Sequence, residues 1–430
     1  KRKARKNNGA KRDMHYEMEQ EEHDVYPDDP DFDINKARLV TTAPRICVRY
    51  ECVPMRFIKH VYKIHTYAQD GRLFEGKTPV SAFLNSSYDG SFIAGLMELR
   101  YIQSLPVERI INYFESHGFT LKKPTAHKLM EKASSLFENL YKCIRQTALS
   151  DPYKAADETY YKILVPEKNS KGKGVRKGYL WVVVGINTRM IYLLYDDGSR
   201  SEKVILNELG GCKGIIQSDG YSPYRKLESD AYPHITRIPC LQHIKRKFID
   251  CGEDDPDAKR IVEMINTLYQ NEHKHKIGVD GWTVEQNLVH RKKYAPDILG
   301  EIKDVLDDIE ERGDLLPKSE LKEAITYLRN EWNAVVDIFN YGDTYLDNNI
   351  VERMNRYISL SRKNSLFFGS HKGAERGAIL YTIALTCRMN KVNLFEYLTD
   401  VINRTAEWQP NTPLEKYRLL LPDRWEKAND

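Results

Sequence analysis

Apolar and polar positions change period twice along this chain. Between residues 82 and 148 the apolar residues recur at helical spacing. The pattern predicts one amphipathic helix over Ala82–Leu105 and a second over Val107–Phe114, closed by His117-Gly118. A third runs over Ala126–Ile144, introduced by Thr120-Leu121-Lys122-Lys123-Pro124-Thr125. From Ala155 the texture becomes that of strands: Ala155–Val165, then Tyr179–Ile186 after a basic turn at Gly172–Gly178, then Met190–Tyr195. A short helix over Ser201–Leu209 follows. Gly214-Ile215-Ile216-Gln217-Ser218 reads as a buried strand that breaks at Asp219-Gly220. His234–Ile238 reads as another strand, and Cys240-Leu241-Gln242-His243 opens a basic helix ending at Phe248. Asp257 to about Asn340 is helical and highly charged, with breaks at Gly278–Gly281 and near Gly313. Asp347-Asn348-Asn349 caps a last long helix that carries Glu352, Arg353 and Arg356. A basic and aromatic loop at 361–370 and apolar helices over Ala374–Met389 and Leu394–Ile402 close the pattern.

Three strands, a helix, a fourth strand, a helix and a fifth strand is the order of a ribonuclease H-like core. The expected class is therefore α/β: a mixed five-stranded sheet with flanking helices, interrupted by a helical insertion and preceded by a helical DNA-binding region. The expected divisions are a basic and acidic tail and linker (1–45), a small β element (46–80) and a helix-turn-helix-like region (81–150). The first part of the core (151–256), the insertion (257–345), the last part of the core (346–405) and a C-terminal tail (406–430) complete them. Helix, Gly turn and Pro-led helix with Lys122 and Lys123 at its mouth fit a DNA-reading helix-turn-helix; a plain helical bundle fits the same pattern.

Composition narrows the function. The chain has 430 residues and is 41% hydrophobic and 30% charged, enough for real cores. Its longest apolar runs, such as Leu180–Val184, fall far short of a membrane span. The net charge is only +4, so nucleic-acid binding must be argued from where Lys and Arg cluster. Seven dispersed cysteines do not form a disulfide framework, which points to a reducing compartment. No signal peptide is evident. The first residue is Lys1 rather than Met, which leaves open a segment before it. The basic tail at 1–12 reads as a solvated end or a DNA-backbone contact. Cys47 and Cys52, near His60 and His65, lack the second tight pair of a zinc knuckle.

Three acids stand where such a core would need them: Asp157 in the first strand, Asp219 at the end of the fourth, and Glu352 on the helix after the insertion. Acids gathered at one point can hold two divalent cations for phosphoryl transfer, and hard oxygen ligands select Mg²⁺, with Mn²⁺ as an alternative. Glu158 adjoins Asp157 and would point to the opposite face; Asp196-Asp197 before Gly198 reads as a turn. Cys240 and His243 have metal-ligand spacing, but without a second pair the sequence argues against zinc. Arg353 and Arg356 fit either a solvated helix face or phosphate contacts. Arg362 and Lys363 before Phe367-Phe368 suit DNA ends with unpaired bases, unless the phenylalanines are core.

Several motifs in order resemble those of the IS66 family of DDE transposases: Ala156-Asp157-Glu158-Thr159, Gln217-Ser218-Asp219-Gly220-Tyr221, Cys240-x-x-His243-x-Lys245-Arg246-Lys247-Phe248 and Asp347-Asn348-Asn349-x-x-Glu352-Arg353. Leu316-Pro317-Lys318-Ser319 and Arg362-Lys363-Asn364-x-Leu366-Phe367 belong to the same series, and the resemblance covers roughly residues 80 to 425. It implies a DNA transposase with Asp157, Asp219 and Glu352 as the catalytic and metal-binding triad. Such an enzyme cuts transposon ends with water and joins the freed 3′-hydroxyls to target DNA. The resemblance also implies that His243 lies beside the active site and that Lys245, Arg246 and Lys247 face DNA. The family's arginine pair after Cys-x-x-His is Arg246-Lys247 here, which keeps charge and weakens bidentate phosphate binding. Family members commonly carry an upstream coiled coil and a Cys-rich region, of which Cys47 and Cys52 remain. The implied partners are transposon-end and target DNA, a homodimer or higher multimer on DNA, and small accessory proteins; the implied place is the bacterial cytoplasm, at the nucleoid. A catalytically dead DNA-binding relic and a nuclease that cuts without joining are the competing functions.

Overall fold

Among the described residues a two-stranded antiparallel hairpin comes first, β1 (Thr66–Gln69) with β2 (Arg72–Glu75). It lies within the 46–80 stretch expected as a small β element. The computed structural model describes residues 86–427 other than 169–171, 173, 253, 407 and 410, together with 82, 83 and parts of 55–75. Lys1–Met55 form one unit and Arg56–Asp430 a second. The basic tail, the acidic stretch, Cys47 and Cys52 lie outside the described residues.

Helix α1 (Gly90–Met97) starts where the Asp89 carboxylate accepts from the Phe92 N–H, and a π-helical turn over Glu98–Ile102 extends it. The expected Ala82–Leu105 helix is thus shorter at both ends: Asp89 caps it late, and Pro106 precedes the next start. Helix α2 (Val107–Ser116) ends at Gly118, whose φ of +83° suits glycine. Helix α3 (Lys123–Leu136) begins earlier than Ala126, because Pro124 sits in its first turn where no N–H is needed. The chain bends at the fully buried Phe137 into α4 (Glu138–Ser150), so one expected helix is two.

The sheet follows: β3 (Tyr153–Leu164), β4 (Val175–Gly185), β5 (Met190–Leu194), helix α5 (Glu202–Leu209), β6 (Gly214–Ser218), the short α6 (Ser222–Arg225) and β7 (Ile235–Pro239). Its order is β5-β4-β3-β6-β7, with β3, β4 and β5 an antiparallel meander and β6 and β7 parallel to β3. Leu180–Val184 is an unbroken apolar run because both faces of β4 are covered. The edge strand β5 is sealed by a later helix: Thr382 Oγ1 accepts from the Leu193 N–H at 2.9 Å and Thr386 Oγ1 donates to the Ile191 carbonyl at 2.8 Å.

Helix α7 (Leu241–Ile249) leads into three long helices, α8 (Pro256–Lys274), α9 (Val284–Glu311) and α10 (Glu320–Ile338). A capping box at Thr283 and Gln286 starts α9, and the Ser319 hydroxyl accepts from Lys322 N–H to start α10. Their apolar faces share one core with Tyr153, Ile215 and Ile238 of the sheet. Inside that core the buried Arg291 guanidinium pairs with Glu272 and donates to the Ile338, Tyr341 and Thr344 carbonyls, tying α9 to α8 and to the C-terminal end of α10. Helix α11 (Asn349–Ser365), the two-residue β8 (Phe367–Phe368), α12 (His371–Met389), α13 (Leu394–Thr405) and α14 (Leu414–Arg418) complete the chain. The sheet therefore has six strands; the sixth, β8, was expected as loop. Among the described residues no helix is long and apolar enough to cross a membrane.

Candidate active site

Strands β3 and β6 run together only at Tyr153–Ala155, and β8 meets β3 only at Lys162 and Ile163. Between these contacts the β3 edge is served by side chains of α11 and its cap. Asn348 Nδ2 donates to the Ala156 carbonyl at 3.0 Å, Asn355 Nδ2 to the Asp157 carboxylate at 2.7 Å, and Arg362 Nη1 to the Tyr160 carbonyl at 2.5 Å. A buried edge needs its polar groups paired, and a helix laid along the gap meets that need through residues at helical spacing. Glu352 lies in the first turn of that helix.

Asp157 sits within this gap on β3, and Asp219 directly follows the last residue of β6. The Asp219 carboxylate accepts from the Tyr221 N–H at 3.1 Å, and its carbonyl accepts from Arg237 Nη1 at 3.3 Å. Gly220 donates its N–H to the Tyr327 hydroxyl at 2.8 Å, so close that a Cβ there would lie 2.5 Å from the same oxygen. Burial, then the Glu158 and Asp219 charges, push the Asp157 carboxyl up to about 8, against hydrogen bonds from the Glu158 N–H and Asn355.

Glu158 points to the other side of β3, as alternation requires. There it pairs with Arg200 and accepts from the Tyr224 hydroxyl at 3.3 Å. Burial raises its pKa, and the Asp219 charge adds to that. Asp196 and Asp197 form the expected turn, with φ of +44° at Asp197 and +68° at Gly198.

Glu352 turns toward α7. Its Oε1 lies 3.7 Å from His243 Nε2, and Cys240, His243 and Glu352 place one ligand atom each within 4.8 Å of one another. Among the described residues Asp157, Asp219 and Glu352 do not form so tight a group. Cys240 Sγ accepts from the Asn348 N–H at 3.2 Å, and burial pushes its thiol up to about 12. Tyr269 of α8 stands near Asp347, Cys240 and Glu352; burial and then the Asp347 charge raise its phenol. Among the described residues, Glu352 Oε1, Asn348 Oδ1, Asn355 Oδ1 and His243 Nδ1 are buried without a hydrogen-bond partner. Three of these four are acceptors on the first two turns of α11 or its cap, a donor set that suits a cation.

The basic residues expected to meet DNA are spread over three helices, α7, α11 and α3. Lys245, Arg246 and Lys247 lie on α7; the last two are exposed, and the Lys247 ammonium is 5.9 Å from the Tyr327 ring centroid. Arg353 and Arg356 are exposed on α11, and among the described residues neither pairs with Glu352. Lys363 is exposed, whereas Arg362 is stacked 3.9 Å from the Tyr160 ring centroid. The two phenylalanines divide: Phe367 is 42% exposed, while Phe368 is buried against Tyr161. Lys122 and Lys123 begin α3, and Lys123 pairs with Glu108. Sequence reasoning missed Asn355, Arg200 and Tyr224; a polar residue one turn after Glu352 was the available signal for the first.

The raised Asp157 pKa has a stability consequence. The folded chain holds this proton where the unfolded chain has lost it, from near pH 4 to near pH 8. Stability from this group is full below the unfolded pKa and is lost as pH rises through the folded one. Asp157→Asn is therefore expected to raise the thermal midpoint of metal-free protein at pH 8 by on the order of a few degrees, with little change at pH 4. Thermal melts of both proteins across this range check it.

Residues 85–376 match the family model described as Transposase IS66 family. Three similar curated proteins come from Sinorhizobium fredii (strain NBRC 101917 / NGR234). Uncharacterized protein y4jD is 26% identical over 346 residues, which are 77% of this chain and 65% of that protein. Uncharacterized protein y4hP is 24% identical over 438 residues, 92% of this chain and 76% of that protein. Uncharacterized protein y4qI is 26% identical over 384 residues, 85% and 69% respectively. The chain thus spans just under two thirds of the length of y4jD.

Proposed function

Because the chain belongs to the IS66 family of transposases, we propose that it cuts transposon-end DNA and joins the 3′-hydroxyl ends to target DNA, with Asp157, Asp219 and Glu352 as its catalytic acids. The observation that carries this reading is the group of acids where β3 and β6 part, in which burial, then the Glu158 and Asp219 charges, push the Asp157 carboxyl up to about 8. Perturbed carboxylates of this kind mark functional sites. The sheet order and its antiparallel-then-parallel pairing agree with a ribonuclease H-like core, with α8, α9 and α10 as its helical insertion.

Asp157, Asp219 and Glu352 offer hard oxygens suited to Mg²⁺ or Mn²⁺. Bound there, the ions would activate the attacking hydroxyl and stabilise the leaving oxygen. The chain's own residues do the rest. Asn355 orients the Asp157 carboxylate, and Arg237 anchors the Asp219 backbone. Arg200 pairs with Glu158, which leaves that acid a supporting part. Lys245, Arg246, Lys247, Arg353, Arg356 and Lys363 supply phosphate contacts, with α2 and α3 as a second DNA-reading surface led by Lys122 and Lys123. Arg362 is committed to Tyr160 from the last turn of α11, where the sequence predicts loop. We place the protein in the bacterial cytoplasm as a dimer or higher multimer on DNA, assisted by small proteins of its element.

The test is strand transfer with purified protein and the element's end DNA. Joined product with Mg²⁺ and none with a chelator is expected. Cut ends without joined product would favour the nuclease, and binding without any product would favour the relic.

A further inference from the structure

Two helix starts meet beside the acids. Cys240 precedes α7 and His243 lies in its first turn, a spacing of three that puts both side chains on one face. Glu352 lies in the first turn of α11. Backbone contacts fix the meeting: the Asn348 N–H donates to Cys240 Sγ at 3.2 Å, and the Leu241 N–H donates to the Leu346 carbonyl at 2.9 Å. The Glu352 Oε1 and His243 Nε2 atoms are 3.7 Å apart, with no hydrogen bond between them. That separation is close to the roughly 3.4 Å edge of a tetrahedron with metal–ligand bonds near 2.1 Å. Neither Glu352 Oε1 nor His243 Nδ1 finds a hydrogen-bond partner among the described residues.

We propose that Cys240, His243 and Glu352 form a binding site for a zinc-class divalent cation. One thiolate, one imidazole and one carboxylate are a ligand set for Zn²⁺ or Co²⁺, and thiolate in particular disfavours Mg²⁺. His243 and Glu352 keep 27% and 30% of their side-chain surface exposed, which leaves a fourth position for water. Uptake exchanges the Cys240 S–H bond for a metal–sulfur bond and releases one proton to solvent. The sequence argued against zinc because it offered no second pair; the fold supplies the third ligand from 109 residues beyond His243. The site goes beyond the joining reaction and stands without it. If both hold, they share Glu352, whose carboxylate has one oxygen for each cation.

Co²⁺ alone is the probe, titrated into the metal-free 430-residue chain without DNA. Because Cys47 and Cys52 also offer thiolates, the titration uses the Cys47→Ser/Cys52→Ser chain. A thiolate-to-cobalt charge-transfer band saturating at about one equivalent is expected, displaced by Zn²⁺ and untouched by millimolar Mg²⁺. Adding Cys240→Ser should abolish the band, and His243→Gln should weaken Co²⁺ binding at least about tenfold. Absence of the band, displacement by Mg²⁺, or a band unchanged by Cys240→Ser would overturn the site. If Cys240→Ser fails to fold, the half-exposed His243→Gln decides: unaltered affinity and spectrum would overturn it. With no DNA present, failure here leaves the joining reaction untouched, and failure of joining leaves this site untouched.

Discussion

Alanine in place of Asp219 is expected to leave DNA binding intact and to lower strand transfer by about a thousandfold or more. A bound cation contributes several kcal/mol to charge stabilisation in the transition state, and each 1.4 kcal/mol is a factor of about ten. Losing a carboxylate that holds the ion forfeits most of that contribution. Asp157→Ala should behave alike, since its carboxylate stands in the same cluster. Glu158→Gln is the contrast. Its side chain is held by Arg200 and Tyr224 on the other side of β3, so a loss of about tenfold, the scale of supporting residues around metal sites, is expected. Gel-resolved cleavage and joining, with DNA affinity measured alongside, check all three. Full activity in Asp219→Ala would remove that residue from the assignment. A Glu158→Gln loss as deep as that of Asp157→Ala would promote Glu158 to a primary acid.

This contrast shows what the sequence carries and where it stops. Strands were legible where the apolar run was short and bounded: Gly214–Ser218 was read to its limits, and Tyr179–Ile186 and His234–Ile238 fell within a few residues of β4 and β7. All three are consequences of local burial, which leaves a local pattern. The bend at Phe137 left none, because a buried aromatic continues a helical stripe as well as it ends one. Strand β8 was hidden for a related reason: two residues are too few for a period, and Phe367-Phe368 pairs with Lys162-Ile163 across about two hundred positions. Asp157, Asp219 and Glu352 stand out in the sequence as motif positions, and strand alternation puts Glu158 on the face opposite Asp157. Their surroundings do not stand out. Asn355 on Asp157, Arg200 on Glu158 and Glu352 beside Cys240 join elements distant in sequence, and no spacing rule reaches that far.

Arg237 is the deepest of these long-range links, and its loss should have the largest effect on stability. Its side chain is fully buried on β7; it pairs with Glu331 of α10 through Nη2 at 2.5 Å and with Glu228 through Nε, and it donates from Nη1 to the Asp219 carbonyl. Burial raises the Glu331 pKa, and the Arg237 charge opposes that rise. Arg237→Met leaves the buried Glu331 carboxylate with only Arg225, whose Nε is 3.9 Å away; losing one partner of a buried pair costs about 3–5 kcal/mol in comparable cases. The cost should grow from pH 5 to pH 8, because Glu331 escapes it at low pH by keeping its proton when folded. Replacing both partners with apolar groups is often neutral, so Arg237→Met/Glu331→Leu should recover most of the loss. Urea midpoints at constant m-value measure each step. The double variant then separates two roles in one side chain. It restores the core without restoring the hydrogen bond to the Asp219 backbone, so a stable double variant with reduced joining would show that Arg237 also positions Asp219. A stable double variant with full joining would confine Arg237 to the core.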